Sequence, residues 1–196
     1  MARQSQKKVI GLTGPKGSGK GTIANYLAEH YGATVIAVST ILNEILTLIG
    51  VKRERVNQIA LAQALRATFG KEAMGHAVDA ALNRLPPTKQ RLVVVDGVRP
   101  LADWDPWRNN KNATLVAVTA SAEIRYQRIR KRGKTAEEKT LTLKRFRAEE
   151  KMPTETKTIG ETSRHARFTI DTSDSKAAVY RQVDYVADKL NLKRKR

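Results

Sequence analysis

The chain of 196 residues contains no cysteine, which excludes disulfides, thiolate metal sites and cysteine nucleophiles and fits a reducing compartment. Its three histidines, at positions 30, 76 and 165, show no metal-ligand spacing. Aromatic residues make up only 5%, leaving few rings to interleave with charge in the manner of single-strand binders. No apolar run approaches the roughly 18 residues that a membrane helix needs. The opening MARQSQKK leads into a run too short and too glycine-broken for a signal segment, so a cytoplasmic protein without membrane attachment is expected. Glycine and proline, at 12 and 6, are too scarce for a fibrous or low-complexity chain. With 40% hydrophobic residues, residues 1–196 read as one globular domain, and a monomer is the default.

Acidic residues are also scarce: 19 stand against 37 lysines and arginines, for a net charge of +18. Such an excess implies polyanionic company. Both ends are basic, and the closing KRKR alone carries four charges. The internal block from Ile124 to Lys151 holds eleven basic residues against four acidic ones, too many to dismiss as a solvated tail.

What is present is an alternation of strand-like and helix-like segments. The apolar stretches KVIGLT (8–13), ATVIAV (33–38), RLVVVDG (91–97), ATLVAVT (113–119) and RFTID (167–171) read as strands, several of them buried on both faces. Helical patterns occupy 22–30, 39–50 with Ser39 as N-cap, 53–85 with a break near Gly70, 122–132, 135–151 and about 174–190. Five strands alternating with helices predict an α/β fold with a parallel sheet.

Residues 14–22, GPKGSGKGT, stand directly after the first strand and at the start of the first helix. Small residues there let successive backbone N–H groups turn toward an anion, with a helix N-terminus behind them and Lys20 reaching the terminal phosphates. Asp96 ends the buried run VVVDG, where a carboxylate projects toward phosphates held by the loop. The form G-x-x-G-x-G-K-G-T resembles the adenylate kinase branch of P-loop kinases, in which Gly-Thr replaces the usual Ser/Thr after the lysine. That resemblance implies a three-layer P-loop fold with five parallel strands in the order 2-3-1-4-5 and a helical lid. It implies an ATP site lined by Gly14, Pro15, Lys16, Gly17, Ser18, Gly19, Lys20, Gly21 and Thr22, and Mg²⁺ held largely through water near Asp96 and Thr22.

Arg128-Ile129-Arg130-Lys131-Arg132 resembles the R-I-x-x-R run that precedes the lid in nucleoside monophosphate kinases. Arginines four apart share one helix face and can clamp the charges gathered during phosphoryl transfer. The resemblance implies Arg128 against the donor nucleotide, Arg132 against the transferring phosphate, a lid over about 133–160 and Arg145 or Arg147 pointing back into the site. The closing RFTIDTSDSKAAVY is similar to the last strand and loop of dephospho-CoA kinases, which implies adenine contacts from Thr172 and Ser173. VVVDGVRP is similar to the adenylate kinase D-G-F-P-R segment, with Arg99 and Pro100 exchanged.

The acceptor side is less fully written. Ser39 and Thr40 match the start of the adenylate kinase pattern S-T-G-D-x-x-R, but Ile41, Leu42 and Ile45 replace its Gly, Asp and Arg. Candidate acceptor ligands are therefore Ser39, Thr40, Arg99 and Arg145, with Lys52, Arg53, Arg55 or Arg66 of a helical insertion about 39–85 as substitutes. The stretch after the second strand has no aspartate to deprotonate a hydroxyl, which favours a phosphate acceptor. The sequence reading is Mg·ATP-dependent transfer to a nucleoside or deoxynucleoside monophosphate. Alternatives are dephospho-CoA kinase-like transfer to a ribose hydroxyl, and an ATP-dependent RNA- or ribosome-associated factor whose basic surface contacts RNA.

Overall fold

In the computed structural model, five strands form one parallel sheet in the order β2-β3-β1-β4-β5. The structure describes residues 7–133, 136–151 and 158–195, without the side chains of 136 and 137. Strands β1 (Lys8–Thr13), β2 (Thr34–Ala37), β3 (Leu92–Val98), β4 (Ala113–Thr119) and β5 (Phe168–Asp171) agree with the expected runs to within a residue at each end. The helices are α1 (Lys20–Tyr31), α2 (Val38–Leu48), α3 (Arg55–Phe69), α4 (Ala73–Asn83), α5 (Ala122–Arg132), α6 (Ala136–Lys139), α7 (Leu143–Glu150), α8 (Gly160–Arg164) and α9 (Lys176–Lys189).

Because side chains alternate along a strand, the central strands feed two cores. Ile10, Leu12, Val94, Val116 and Val118 join Ile23 and Leu27 of α1 and Val179 and Val183 of α9 on one face. Val9, Val93, Val95 and Leu115 join Leu42, Met74, Val78 and Trp104 on the other. Gly11 supplies room there, since a Cβ on it would lie 2.4 Å from the Trp104 ring. Each fully buried aliphatic side chain contributes about 1.5–3 kcal/mol, so these cores outweigh the third, which consists of Ile129, Leu141 and Phe146 beneath the basic block.

Two sequence expectations require correction. Ser39 does not cap α2: the helix begins one residue earlier, with Ala37 at its N-cap and no side-chain cap, and Ser39 lies exposed in its first turn. The helix expected over 135–151 is two helices, because Thr142 caps α7 by accepting a hydrogen bond from the Arg145 N–H at 3.2 Å. Of the expected lid, Lys134, Thr135 and 152–157 lie outside the described residues. Among the described residues, α8, a 3₁₀ turn over Pro87–Lys89 and a 3₁₀ segment over Leu101–Trp107 that buries Asp103, Trp104 and Trp107 have no counterpart in the sequence reading.

Candidate active site

In a parallel sheet all carboxyl ends share one edge, and the loops after β1, β2, β3 and β5 converge there. The loop between β1 and α1 is held by close contact on three sides. A Cβ on Gly14, which has φ of 141°, would stand 2.1 Å from the Val118 carbonyl oxygen of β4. One on Gly17 would stand 2.9 Å from the Arg125 carbonyl of α5, and one on Gly19 would stand 3.2 Å from Thr172 Oγ1. The motif's glycines are thus also the places where the loop meets its supports. Lys20 Nζ donates to the carbonyls of Gly14 at 2.7 Å and Pro15 at 3.0 Å, which keeps its ammonium over the loop. Ser18 is fully buried beneath it, its Oγ without a hydrogen-bond partner.

Asp96 stands at the carboxyl end of β3, level with Leu12 of β1 and Ala37 of β2. The β1–β3 register slips immediately afterwards, where Gly97 takes φ of 101°, a bulge that turns the strand end. A Cβ on Gly21 would be 3.9 Å from Asp96 Oδ2, so the absent side chain leaves a gap between the first turn of α1 and this carboxylate. Burial pushes the Asp96 carboxyl above its ordinary range, and the charges of Lys20 and Arg99 partly pull it back. A single carboxylate facing that gap fits a hard cation that keeps much of its water, with Thr22 exposed beside it. Among the described residues no cluster of three His, Cys, Asp or Glu forms a protein cage for a metal.

Arg128 ties α5 to the loop after β5. Its guanidinium donates to Thr172 Oγ1 at 2.7 Å and to the Thr172 carbonyl, while Thr172 Oγ1 donates to the Ser18 carbonyl at 2.8 Å. Thr172 is buried, so its side chain braces the phosphate loop from below. Ser173 Oγ accepts from the Ser121 N–H at 3.2 Å, and the Ser173 N–H donates to Asp171 Oδ1 at 2.8 Å, which with the Ser173 hydroxyl holds the Asp171 carboxyl below its usual range.

Arg132 donates to both oxygens of Glu138, at 2.5 and 3.1 Å, and Lys16 of the phosphate loop pairs with the same carboxylate at 3.1 Å. Glu138 is buried and thereby links the loop, α5 and α6. Arg125, also buried, donates to Glu150 and to the Ala120 carbonyl and lies 5.5 Å from the Phe146 ring centroid, anchoring α7 on α5. Neither residue was singled out from sequence. Arg125 had a usable signal: it stands four residues before Ile129, on that helix's buried stripe.

Among the residues expected to meet an acceptor, Ser39 and Thr40 open α2 at the end of β2 and are exposed. Arg99 follows β3, its carbonyl accepting from Thr162 Oγ1 at 2.6 Å. Arg145 is half-exposed and pairs with Glu149 on its own helix at 3.1 Å. Arg53 donates to Thr47 Oγ1 at 2.8 Å on the surface. Arg66 is a structural residue: its Nη2 reaches the buried Asp103 at 2.8 and 3.1 Å, joining α3 to the 3₁₀ segment.

Fold and site together define a P-loop kinase-like protein. A family model described as an AAA domain matches residues 10–153. A UPF0200 protein of Sulfurisphaera tokodaii is 32% identical over 136 residues, covering 69% of this chain and 71% of that protein. The chain belongs to this AAA-domain family and to the UPF0200 proteins. Among solved structures, shikimate kinase from Bacteroides thetaiotaomicron superposes with a TM-score of 0.60 at 13% identity, over 94% of this chain and 99% of that one. Shikimate kinase from Acinetobacter baumannii in complex with shikimate gives 0.53 at 19% identity, over 95% of each chain. At these identities the likeness is one of fold.

Proposed function

We propose that the protein transfers the γ-phosphoryl group of Mg·ATP to a small nucleotide-like acceptor, a nucleoside or deoxynucleoside monophosphate. The observation that carries this reading is the convergence at one sheet edge of the glycine-constrained loop, Lys20, Asp96 across the Gly21 gap and Arg99. The backbone N–H groups of residues 17–21 and Lys20 hold the β- and γ-phosphates, and the loop around Thr172 and Ser173 with Arg128 borders the base. Asp96, with Thr22 through water, would hold Mg²⁺, which neutralises phosphate charge when bound.

Chemically, the bond from the γ-phosphorus to the bridging oxygen breaks and one to the acceptor oxygen forms, leaving ADP. Arg132 and Lys20 stabilise the charge that develops, Arg132 by exchanging Glu138 for the transferring group. Ser39, Thr40 and Arg99 receive the acceptor, and Arg145 reaches its phosphate by leaving Glu149. An anionic phosphate acceptor needs no base, which suits an α2 whose one carboxylate, Glu44, is exposed.

A second reading, transfer to a ribose hydroxyl as in dephospho-CoA kinases, would need a carboxylate base, and Asp96, at the carboxyl end of β3, stands at this edge. A coupled ADP-release assay with Mg·ATP separates the readings. Stimulation by one monophosphate supports the first, and stimulation only by dephospho-CoA supports the second. No stimulation by any small acceptor would overturn both.

A further inference from the structure

The amino ends of the strands gather on the edge opposite the phosphate loop, about 20 Å away along a six-residue strand. A second cationic surface lies there that phosphoryl transfer does not use. Lys8 opens β1, Lys111 and Asn112 precede β4, and Arg167 precedes β5. With Lys189 and Asn191 at the end of α9, they line a shallow cavity of about 210 Å³ whose lining includes no carboxylate. Lys8 is committed to the wall, donating to the carbonyls of Leu190 at 2.5 Å and Asn191 at 3.0 Å. Lys111, Arg167 and Lys189 are exposed.

Two features make this more than a charged patch. Tyr185 is 59% exposed, and the Lys189 ammonium stands over its ring at 5.3 Å from the centroid, so a ring with exposed surface lies beside one of these cations. The basic run that continues from Leu192 is laid along the body: the Lys195 N–H donates to the His30 carbonyl at 2.7 Å, its Nζ to the Ala28 carbonyl at 2.9 Å, and Arg194 to Tyr26 Oη at 2.8 Å. Asp184, the acid facing this run, already accepts from Tyr26 and Tyr31 and pairs with Arg194.

The exposed cations do not enclose one small anion; they suit an extended polyanion that meets several of them at once. Bilayer insertion is disfavoured, because the exposed large apolar side chains Leu48, Ile49, Val56 and Phe69 lie on the helical insertion. An exposed aromatic ring next to a cation, at the border of a basic surface, is what a strand of alternating phosphates and unpaired bases uses. We propose that this amino-edge surface binds single-stranded nucleic acid, with phosphates on Lys111, Arg167 and Lys189 and a base on Tyr185. This proposal stands apart from the phosphoryl-transfer reading.

Fluorescence anisotropy of the full chain with labelled single-stranded RNA and DNA of about 12 nucleotides tests it across a salt series. The triple variant K111E/R167E/K189E should weaken binding at least about tenfold and flatten the log–log salt slope by about 2. Tyr185→Ala should weaken binding about tenfold with the slope unchanged, and it decides the matter if the triple variant fails to melt cooperatively. Lys20→Ala should bind as the wild type does. The surface variant K52E/R53E/K71E, which changes net charge equally, should have little effect. Equal loss in both triple variants would show bulk charge rather than a site and overturn the proposal. So would no binding of either strand, or binding of phosphatidylserine vesicles in their place.

Discussion

The two halves of the candidate site are built differently. On the donor side every element is fixed by atoms within contact distance: Gly14 against Val118, Gly17 against Arg125, Thr172 between Ser18 and Arg128. On the proposed acceptor side, the end of α2, the start of α3 and the turn between them leave Leu48, Ile49, Val51 and Val56 exposed, and the residues proposed to meet substrate, Ser39 and Thr40, are exposed as well. A phosphate-binding loop must present backbone donors at fixed positions, so its geometry is constrained by packing. An acceptor pocket needs only side chains that reach inward, which leaves its composition free to vary with substrate.

This contrast predicts a graded set of effects. Lys20→Ala should lower turnover by about 10²–10³-fold while leaving the melting temperature nearly unchanged, because the ammonium serves the phosphates rather than the core. Coupled ADP release and a thermal melt check both parts. Arg66→Met should do the opposite. It strands a buried Asp103 carboxylate whose pKa burial already pushes upward, and should cost about 3 kcal/mol by denaturant titration with little change in acceptor KM. A large rise in KM at unchanged stability would return Arg66 to the acceptor site. Gly14→Ala should destabilise by about 2 kcal/mol or more and abolish nucleotide binding together with it, since a Cβ there would run into the Val118 carbonyl and disfavour the φ of 141° that shapes the loop. Glu138→Gln, which weakens the tie of Lys16 and Arg132 to α6, should change the KM for ATP by roughly fivefold. The smallest effect is expected for Glu149→Ala. Its pair with Arg145 is half-exposed, so stability should move by less than about 0.5 kcal/mol.

The same contrast explains how much could be read from sequence. The strands were legible because a β-run buried on both faces is a continuous apolar stretch, as in LVVVD and ATLVAVT, and the phosphate loop because its spacing is tied to backbone geometry. The strand order followed from the resemblance. Pairs such as Arg66–Asp103 and Arg125–Glu150 were not legible, since their partners lie 37 and 25 residues apart and only tertiary packing selects them from many charges. The cap at Thr142 was missed for a different reason. Basic and acidic side chains continue a helical pattern through residues 135–151, and the break is a local side-chain hydrogen bond that periodicity does not register.

If packing alone holds the phosphate loop in its binding geometry, the protein binds ATP with no acceptor present. Calorimetric titration of the wild-type protein with ATP, with and without Mg²⁺, checks this alongside Lys20→Ala. One ATP per chain is expected, tighter with Mg²⁺, with that binding lost in the variant. Absence of ATP binding in the wild type, or equal binding in the variant, would contradict it.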